Sequence, residues 1–561
     1  MTQLIIKSKT AAWVLSQSSN RLLQSTDFDT TPWVATTATL TGGQTDPTLG
    51  TDAFNVLATA NNATVLQPIT LTDGNNNRVF SIYIKRITGT GAISITSPDG
   101  SFVVTAITGT WTRYNATAAV GDSTVSIGVK LAVNTDEIAI YAAQYENGIT
   151  PTTYSGTTST PYTTTQIVDA DYPANTCRGV VFLDGRFFVM NRIGEIYQSA
   201  LEDALTWAAL DFISSQIDSS DGVYLTKMNN YVVAIKQRGI EFFYDAANPT
   251  GSILSPVSNA YLEMGCASEN SVQTVGSYVV FLAQTSDGFG RSIQALSGTT
   301  AVPISTPNVE KILDQDDLAA VSSWTAKVGS HLLYGLTLGT IENTLVYDFS
   351  TKQWSFFTSL VISGGTFAGS ILSGVLTFPS LNIVEDDIFE ITGGSAAANG
   401  FHIATNSTDT TCQLQTTVTD YDGPVTVQLY TEGVFPVVAS TRSGGRQYMQ
   451  DATSGALYEF SQTAYTDTSA AIAARIRTPK LDGGDARRKT MGSAEVIGDK
   501  IDSVLSLRYT DDDYQTYSTF RPVQLGVERS RVRRLGDYSR RSFELLHLKN
   551  YLFRVEALEV N

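Results

Sequence analysis

The chain has 561 residues, 42% hydrophobic and 16% charged, with 44 Gly, 25 Tyr and 24 Phe, which excludes a disordered or collagen-like polymer and leaves material for several cores. No run approaches the roughly eighteen apolar residues of a membrane span, and the start MTQLIIKSKTAAW lacks an apolar core followed by a small-residue cleavage site, so the chain reads as soluble and not classically secreted. The net charge of -17 is uneven: residues 475–561 carry 17 Lys and Arg against 13 Asp and Glu, while the rest carries 20 against 41, and so acidic a body argues against tight wrapping of nucleic acid.

Residues 1–18 read as an N-terminal arm. From 19 to 158 the chain is rich in Thr, Asn and Ala, and the strands FSIYIKR (80–86), AISITS (92–97) and STVSIGVKLAV (123–133) predict a jelly roll or β-sandwich. Within it Trp33, Trp111 and Tyr114 are candidates for an aromatic sugar platform, with core packing as the alternative. The run GTTSTPYTTT (156–165) reads as a linker, because Ser, Thr, Gly and Pro offer little apolar surface to bury.

Beyond it, GRFFVM (185–190), YVVAIK (231–236), YVVFLAQ (278–284) and VTVQLY (425–430) are further strands bounded by polar turns, and the fold class is all-β. Strands aligned on Tyr197, Tyr244, Ala295, Tyr347, Phe389 and Tyr458 recur at steps of 47, 51, 52, 42 and 69 residues. Each step has room for about four strands, which predicts a β-propeller of about six blades over 163–470, with an insertion within 412–445. One helix is expected at 308–320, capped by Asn308, and a C-terminal β region at 471–561.

The chemistry-bearing residues are few. Cys177, Cys266, Cys412, His331, His402 and His547 are scattered without metal-ligand spacing, so they read as buried packing or satisfied side chains and no metal or cofactor is expected. Gly-rich TDGNNN (72–77) and SDGFG (286–290) read as turns and not as phosphate cradles. The segment TDDDYQTY (510–517) is a degenerate version of the Asp-box turn of sialidase propellers: Asp512, Thr516 and Tyr517 fit, and Tyr514 stands where Gly is expected. Such an Asp caps backbone N–H groups and is not itself catalytic. A basic cluster, ARRK (486–489) followed by Arg529, Arg531, Arg533, Arg534, Arg540 and Arg541, is a candidate surface for DNA phosphate or an acidic partner, unless acidic neighbours satisfy it. In an extended strand Arg529, Arg531 and Arg533 would share one face.

The collinear segments TQIVDADYPANTCRGVVFLDGRFFVM (165–190), SALEDALTWAALDF (199–212), IEFFYDAANP (240–249), YLEMGCASENSVQTVGSYVVFLAQTSDGFG (261–290) and PISTPNVEKIL (303–313), with the closing VLSLRYTDDDYQTYSTFRPVQLGVERSRVRRLGDYSRRSFELLHL (504–548), resemble the tail nozzle family of short-tailed bacteriophages, also called tail hub or packaged DNA stabilization proteins. Residues 20–155 resemble the jelly-roll, carbohydrate-binding-like modules of phage tail and head-fibre proteins, and replace the stretch with which that family usually opens its propeller. The resemblance implies a non-enzymatic virion protein of the phage tail. It further implies a homo-hexameric ring below the portal adaptor protein that retains double-stranded DNA without specific binding and opens for ejection. Tail fibres or spikes and a tail needle would be partners, with the jelly roll displayed for fibre attachment or host-surface glycan. The N-terminal arm would supply a missing propeller strand. The alternative is a phage adhesin or depolymerase that binds surface glycans through its propeller.

Overall fold

The computed structural model describes residues 3–7, 12–17 and 20–561, except 73, 159–161, 286–289, 380–382, 396–397, 409, 415–420, 462, 469, 486 and 553. Parts of TDGNNN, SDGFG, ARRK and the expected insertion therefore lie outside the described residues. Strands make up 56% of the chain and helix 2%, so the fold is all-β. The strands form where β-branched and aromatic residues alternate with polar ones. In Ala63–Leu71, for instance, Ala63, Val65, Gln67, Ile69 and Leu71 are buried and the residues between them are not. The chain divides into two compact units, Met1–Ser215 with Asp245–Ser255, and Gln216–Tyr244 with Pro256–Asn561.

In the first unit, residues 20–158 form a sandwich of two five-stranded antiparallel sheets. One runs in the order Thr112–Val120, Asn76–Thr88, Glu137–Asn147, Ala53–Ala58, Ala38–Gln44, and the other Val34–Thr36, Ala63–Leu71, Ser123–Leu131, Ile93–Thr96, Phe102–Thr105. Their facing side chains, among them Phe54, Phe80, Ile82, Ile127, Val129, Ile140 and Tyr145, make one core with Phe28 of the segment before the first strand. Asn20 ties the ends of the module together. Its Nδ2 donates to the carbonyls of Ala143 (2.9 Å) and Ser155 (3.1 Å), and its Oδ1 accepts from the amides of Leu22 (3.1 Å) and Tyr145 (3.0 Å).

In the arm, Gln3–Lys7 pairs antiparallel with Ala12–Gln17, and this second strand pairs with Tyr162–Gln166 in the register Gln17↔Tyr162 to Trp13↔Gln166. Four of the ten residues of the expected linker, 162–165, are thus strand, and 159–161 lie outside the described residues; β-branched Thr suits an extended backbone once a partner strand saturates its N–H and C=O groups. Thr157, also in that run, is buried and donates its hydroxyl to the Leu22 carbonyl at 2.5 Å. Ile5, Ala12 and Val14 pack with Phe187, Val189, Ala204 and Trp207 of the next sheet, Val181–Leu183, Arg186–Met190, Glu195–Ala200 and Asp203–Ser214.

The second unit continues with antiparallel runs of the same kind. These are Gly222–Met228, Tyr231–Lys236 and Ile240–Asp245; then Met264–Cys266, Tyr278–Thr285, Arg291–Ser297 and Thr300–Pro303; then Val321–Val328, His331–Leu338, Asn343–Asp348 and Gln353–Ile362; and, after an interruption, Val437–Ser443, Arg446–Asp451 and Leu457–Glu459. Tyr197, Tyr244, Ala295, Tyr347 and Tyr458 all fall on the third strand of their sheets, so the repeat read from the sequence marks equivalent positions. Phe389 does not. Its strand, Ile388–Thr392, pairs with Gly400–Ile403 and Gly423–Val434 in a sub-sheet with its own core of Ile371, Leu376, Phe389, Ile391, Cys412 and Val427. The insertion accordingly occupies the stretch between Gln353–Ile362 and Val437–Ser443, starting well before residue 412. The apolar periodicity of a strand does not distinguish a blade from an inserted sheet.

The helix is shorter than expected, Pro307–Leu313, and its cap is Thr306, whose hydroxyl accepts from the Val309 amide at 3.5 Å, not Asn308. Proline at the first helical position lacks an N–H that would need a partner, which puts the cap one residue earlier. The C-terminal region stacks a four-stranded sheet (Ala474–Arg477, Ser542–His547, Val504–Thr510, Arg521–Gln524) on a three-stranded one (Arg531–Tyr538, Lys489–Gly498, Val555–Val560) around Met491, Val496, Leu505, Leu507, Val532, Leu535, Phe543 and Leu545.

Val14, 1% exposed, anchors the arm in the core it shares with Trp207. Val14→Ala is expected to lower stability by on the order of 2 kcal/mol, read as a downward shift of the first transition in a thermal melt.

Candidate partner-binding surface

The basic cluster divides sharply once its neighbours are in place. Arg541 is 1% exposed and fully used: Nε and Nη2 donate to the two Asp511 carboxylate oxygens at 2.7 Å each, Nη1 to the Leu535 carbonyl at 2.7 Å, and the guanidinium lies 3.9 Å from the Tyr509 ring centroid. It is a structural cross-link between strands and not a partner-facing residue. Arg529 precedes the strand instead of lying in it. It turns back to Glu495, donating from Nε at 3.1 and 3.0 Å and from Nη2 at 2.6 Å, and this pairing holds the Glu495 carboxyl below its usual range.

Arg531 lies opposite Glu495 in the register of Arg531–Tyr538 on Lys489–Gly498. Alternation puts Val532 inward and Arg533 outward, but the register then slips between Met491 and Ser493, and Arg534 adopts φ 59. This bulge moves the next inward residue to Leu535, so Arg533 and Arg534 are exposed side by side. Arg540, in the following turn, is exposed as well. Arg521 reaches the same edge by donating Nη2 to the Arg533 carbonyl at 2.6 Å, and Arg488 pairs with Asp537 at 3.1 Å. The cations left exposed are therefore Arg533 and Arg534, with Arg521 beside them, and separately Arg540, whose charge acts on Asp513.

The degenerate Asp-box closes a turn. Asp512 accepts from the amides of Gln515 (3.1 Å) and Thr516 (2.9 Å) and from the hydroxyls of Thr510 (2.8 Å) and Thr516 (2.5 Å). These donors hold its carboxyl down at about 2, the Thr516 hydroxyl foremost. Tyr514 occupies the glycine position at φ 69, and its hydroxyl donates to the Thr478 carbonyl at 2.9 Å.

The C-terminal region also holds an ion cluster that no sequence expectation covered. Glu544, in a strand whose six residues Ser542–His547 are all buried, accepts from Arg475 (2.6 Å), Arg477 (2.5 Å) and Arg508 (2.9 Å from Nε, 2.8 Å from Nη2). Arg475 continues to Glu432 and Arg508 to Asp386, both at 2.5 Å and both in the inserted stretch. Burial opposes ionisation of Glu544, but the arginines around it hold its carboxyl below the usual value. The signal was present: a lone carboxylate inside SFELLH, and arginines at alternate positions in ARIR.

Beside it, His402 and His547 are buried. The His402 Nε2 N–H donates to the Ala398 carbonyl at 2.9 Å, and Ser503 Oγ lies 2.8 Å from His547 Nε2. Desolvation, with the nearby Lys549 charge adding to it, lowers His402 to about 3 and His547 to about 4. A cleft lined by Phe401, His402, Val504, Ser506, Leu548 and Lys549 has room for about one water. All three cysteines are buried, and burial pushes Cys266 up to about 11 and Cys412 to about 12.

The three aromatics of the sandwich separate. Trp33 is 7% exposed in the core, its ring centroid 4.8 Å from that of Phe28 and its Nε1 donating to the Gln24 carbonyl at 2.9 Å, so it cannot meet a sugar. Tyr114 packs on the same core from the inner face of its strand. Trp111 lies on the outer face, with Lys85 Nζ 5.2 Å from its ring centroid.

Residues 104–370 match the family model described as Bacteriophage P22 Gp10, beta-propeller. The matched stretch takes in the consecutive antiparallel sheets from Val181–Leu183 to Gln353–Ile362, so this part of the chain is similar to a phage β-propeller family. No curated protein matches the chain. Among solved structures, the enzymatically active domain of bacteriophage CBA120 tailspike protein 4 is 15% identical over 23% of this chain and 21% of its own, with TM-score 0.19. BamB from Moraxella catarrhalis is 14% identical over 50% and 81%, with TM-score 0.21. An exo-beta-1,3-galactanase from Phanerochaete chrysosporium is 8% identical over 70% and 98%, also with TM-score 0.21. Scores this low carry no argument.

Two outcomes follow from the buried charges. Glu544→Gln leaves three guanidiniums short of their shared carboxylate and is expected to cost about 3–5 kcal/mol, measured by denaturant titration. Acid is expected to destabilise in two stages. The unfolded chain takes up histidine protons as pH falls through 6.5, whereas folded His547 and His402 do so only near 4 and 3, so stability drops steadily from pH 6.5 downward. The contribution of Glu544, present above 4.5, is lost at still lower pH. Melting temperatures of the His402→Gln/His547→Gln variant should be flat between pH 6.5 and 4.5, where those of the parent fall.

Proposed function

We propose that this chain is the nozzle, or hub, of a short-tailed phage tail, a subunit whose copies ring the distal DNA channel, retain the packaged genome and open for ejection. The observation that carries this reading is the family match over residues 104–370, which takes in the later strands of the sandwich and then the serial antiparallel sheets from Val181–Leu183 to Gln353–Ile362. The charge distribution is consistent with it. An acidic body does not grip a polyanion passing through a ring, and the exposed Arg533 and Arg534 offer an acidic neighbour a docking edge. The neighbours this role calls for are a portal adaptor, further copies of the chain, and fibres, spikes or a needle. The sandwich is the part available for fibre attachment or host-surface contact. No residue is assigned a catalytic role.

Mass by light scattering and symmetry by negative-stain averaging of the full chain test the reading. A six-fold ring with a central hole is expected, and Arg533→Glu/Arg534→Glu should shift it toward smaller species. A compact trimer that depolymerises capsule would overturn the nozzle in favour of an adhesin, and so would a monomer that stays monomeric with the portal adaptor.

A further inference from the structure

The outer face of the first sandwich sheet carries a row of aromatic side chains that its core does not use. Phe80, Ile82 and Ile84 point into the core, which turns Ser81, Tyr83 and Lys85 outward on the same strand. Register then aligns residues across three neighbouring strands: Arg113 lies opposite Tyr83 on one side, and Tyr141 opposite Tyr83 on the other. The Tyr83 and Tyr141 ring centroids are 6.1 Å apart at 53°, and Tyr154 extends the row 6.2 Å beyond Tyr141 at 47°. Trp111, two residues before Arg113, sits next to Lys85 at the other end.

Neighbouring side chains position the row. Arg113 stacks over Tyr83 with its guanidinium 5.7 Å from the ring centroid, while Nη1 donates to the Thr152 carbonyl at 2.6 Å and Nη2 to Ser81 Oγ at 3.0 Å. Ser25 Oγ fixes the Tyr154 hydroxyl at 2.6 Å. The charges of Asp46 and Asp52 are close enough to act on Tyr141. Asn55, on the outer side of the adjoining strand, donates to Glu137 at 3.1 Å, so amide and carboxylate groups border the rings.

We propose that this face, with Tyr83, Tyr141 and Trp111 as its platform, binds a neutral pyranose glycan. Preorganised rings lose little conformational freedom on binding and offer flat apolar surfaces to the C–H faces of sugar rings. The bordering Lys85, Asn55, Glu137 and Asp52 supply donors and acceptors for hydroxyls. Cations flank Trp111 and Tyr83 while carboxylates act on Tyr141, and this mixed charge disfavours a polyanionic ligand. The polar group beside each ring interrupts the continuous apolar patch that a protein partner would bury. The successive tilts make a strip suited to an oligosaccharide and not to a single sugar. This site rests on the sandwich's own geometry, and it takes from the nozzle reading only that the sandwich faces outward.

Affinity electrophoresis of the full-length protein in gels containing dextran, yeast mannan, galactomannan or alginate tests the inference. At least one of the three neutral polymers is expected to retard the protein. Retardation should fall at least tenfold in Tyr141→Ala and Trp111→Ala and persist in Phe102→Ala, whose exposed residue lies on the opposite sheet. Circular dichroism melts confirm that the variants are folded, and Tyr83→Phe, which keeps the ring, should bind as the parent does. The inference is overturned if no neutral polymer retards the protein, if only alginate does, or if folded Tyr141→Ala and Trp111→Ala bind like the parent. A six-fold ring that ignores all four polymers would remove the glycan site and leave the nozzle standing. A sugar-binding trimer would do the reverse.

Discussion

A carboxylate in a strand buried on both faces is tolerable only if its charge is answered on the spot, and Glu544 is answered by Arg475, Arg477 and Arg508. Much of the second unit is arranged around that need. Phe543 and Leu545 face the C-terminal core, while Leu546 joins Leu360, Ile388, Phe401 and Ile403 from the preceding sheets. The strand Ser542–His547 is therefore the shared wall of two hydrophobic cores, and the arginines that neutralise Glu544 reach across to Asp386 and Glu432 on the other side. Apolar packing draws the two parts together without direction. The ion cluster adds direction, since guanidinium–carboxylate forks accept few geometries.

The same logic sorts the arginines of the C-terminal region into those that build and those that face outward. Arg541 and Arg529 are spent on Asp511 and Glu495, whereas the bulge at Arg534 pushes two cations to the surface together. A bulge conserves the inward placement of Val532 and Leu535 at the cost of regular alternation. What reaches solvent is thereby decided by what must stay dry.

Strands were legible in the sequence because alternation reports burial on one face: FSIYIKR, YVVAIK and YVVFLAQ lie within observed strands, and GRFFVM does from Arg186 onward. The third-strand repeat was legible for the same reason, and it failed at Phe389, where a sub-sheet has the texture of a blade. Partners were not legible. GTTSTPYTTT looked unstructured because its stability comes from a strand some hundred and fifty residues earlier, at Ala12–Gln17. The candidate sugar residues Trp33, Trp111 and Tyr114 were chosen by type, but which side of a sheet each occupies depends on register, and that put Trp33 and Tyr114 inside and Trp111 outside. Tyr83 and Tyr141 face outward together only because two strands far apart in sequence align them.

The pairing of Gln17 with Tyr162 has a topological side. The whole sandwich is a loop-out between two adjacent strands of a small sheet, leaving and returning at neighbouring points. Closing so long an excursion adds little entropy beyond what a short one would require, because the closure term grows only logarithmically with length. The three-stranded sheet thus works as a socket. It senses only that its two rim positions stay together, which Asn20 secures from the sandwich side by binding Ala143, Tyr145 and Ser155. A different plug with similarly close ends could occupy that socket without disturbing the strands that hold it.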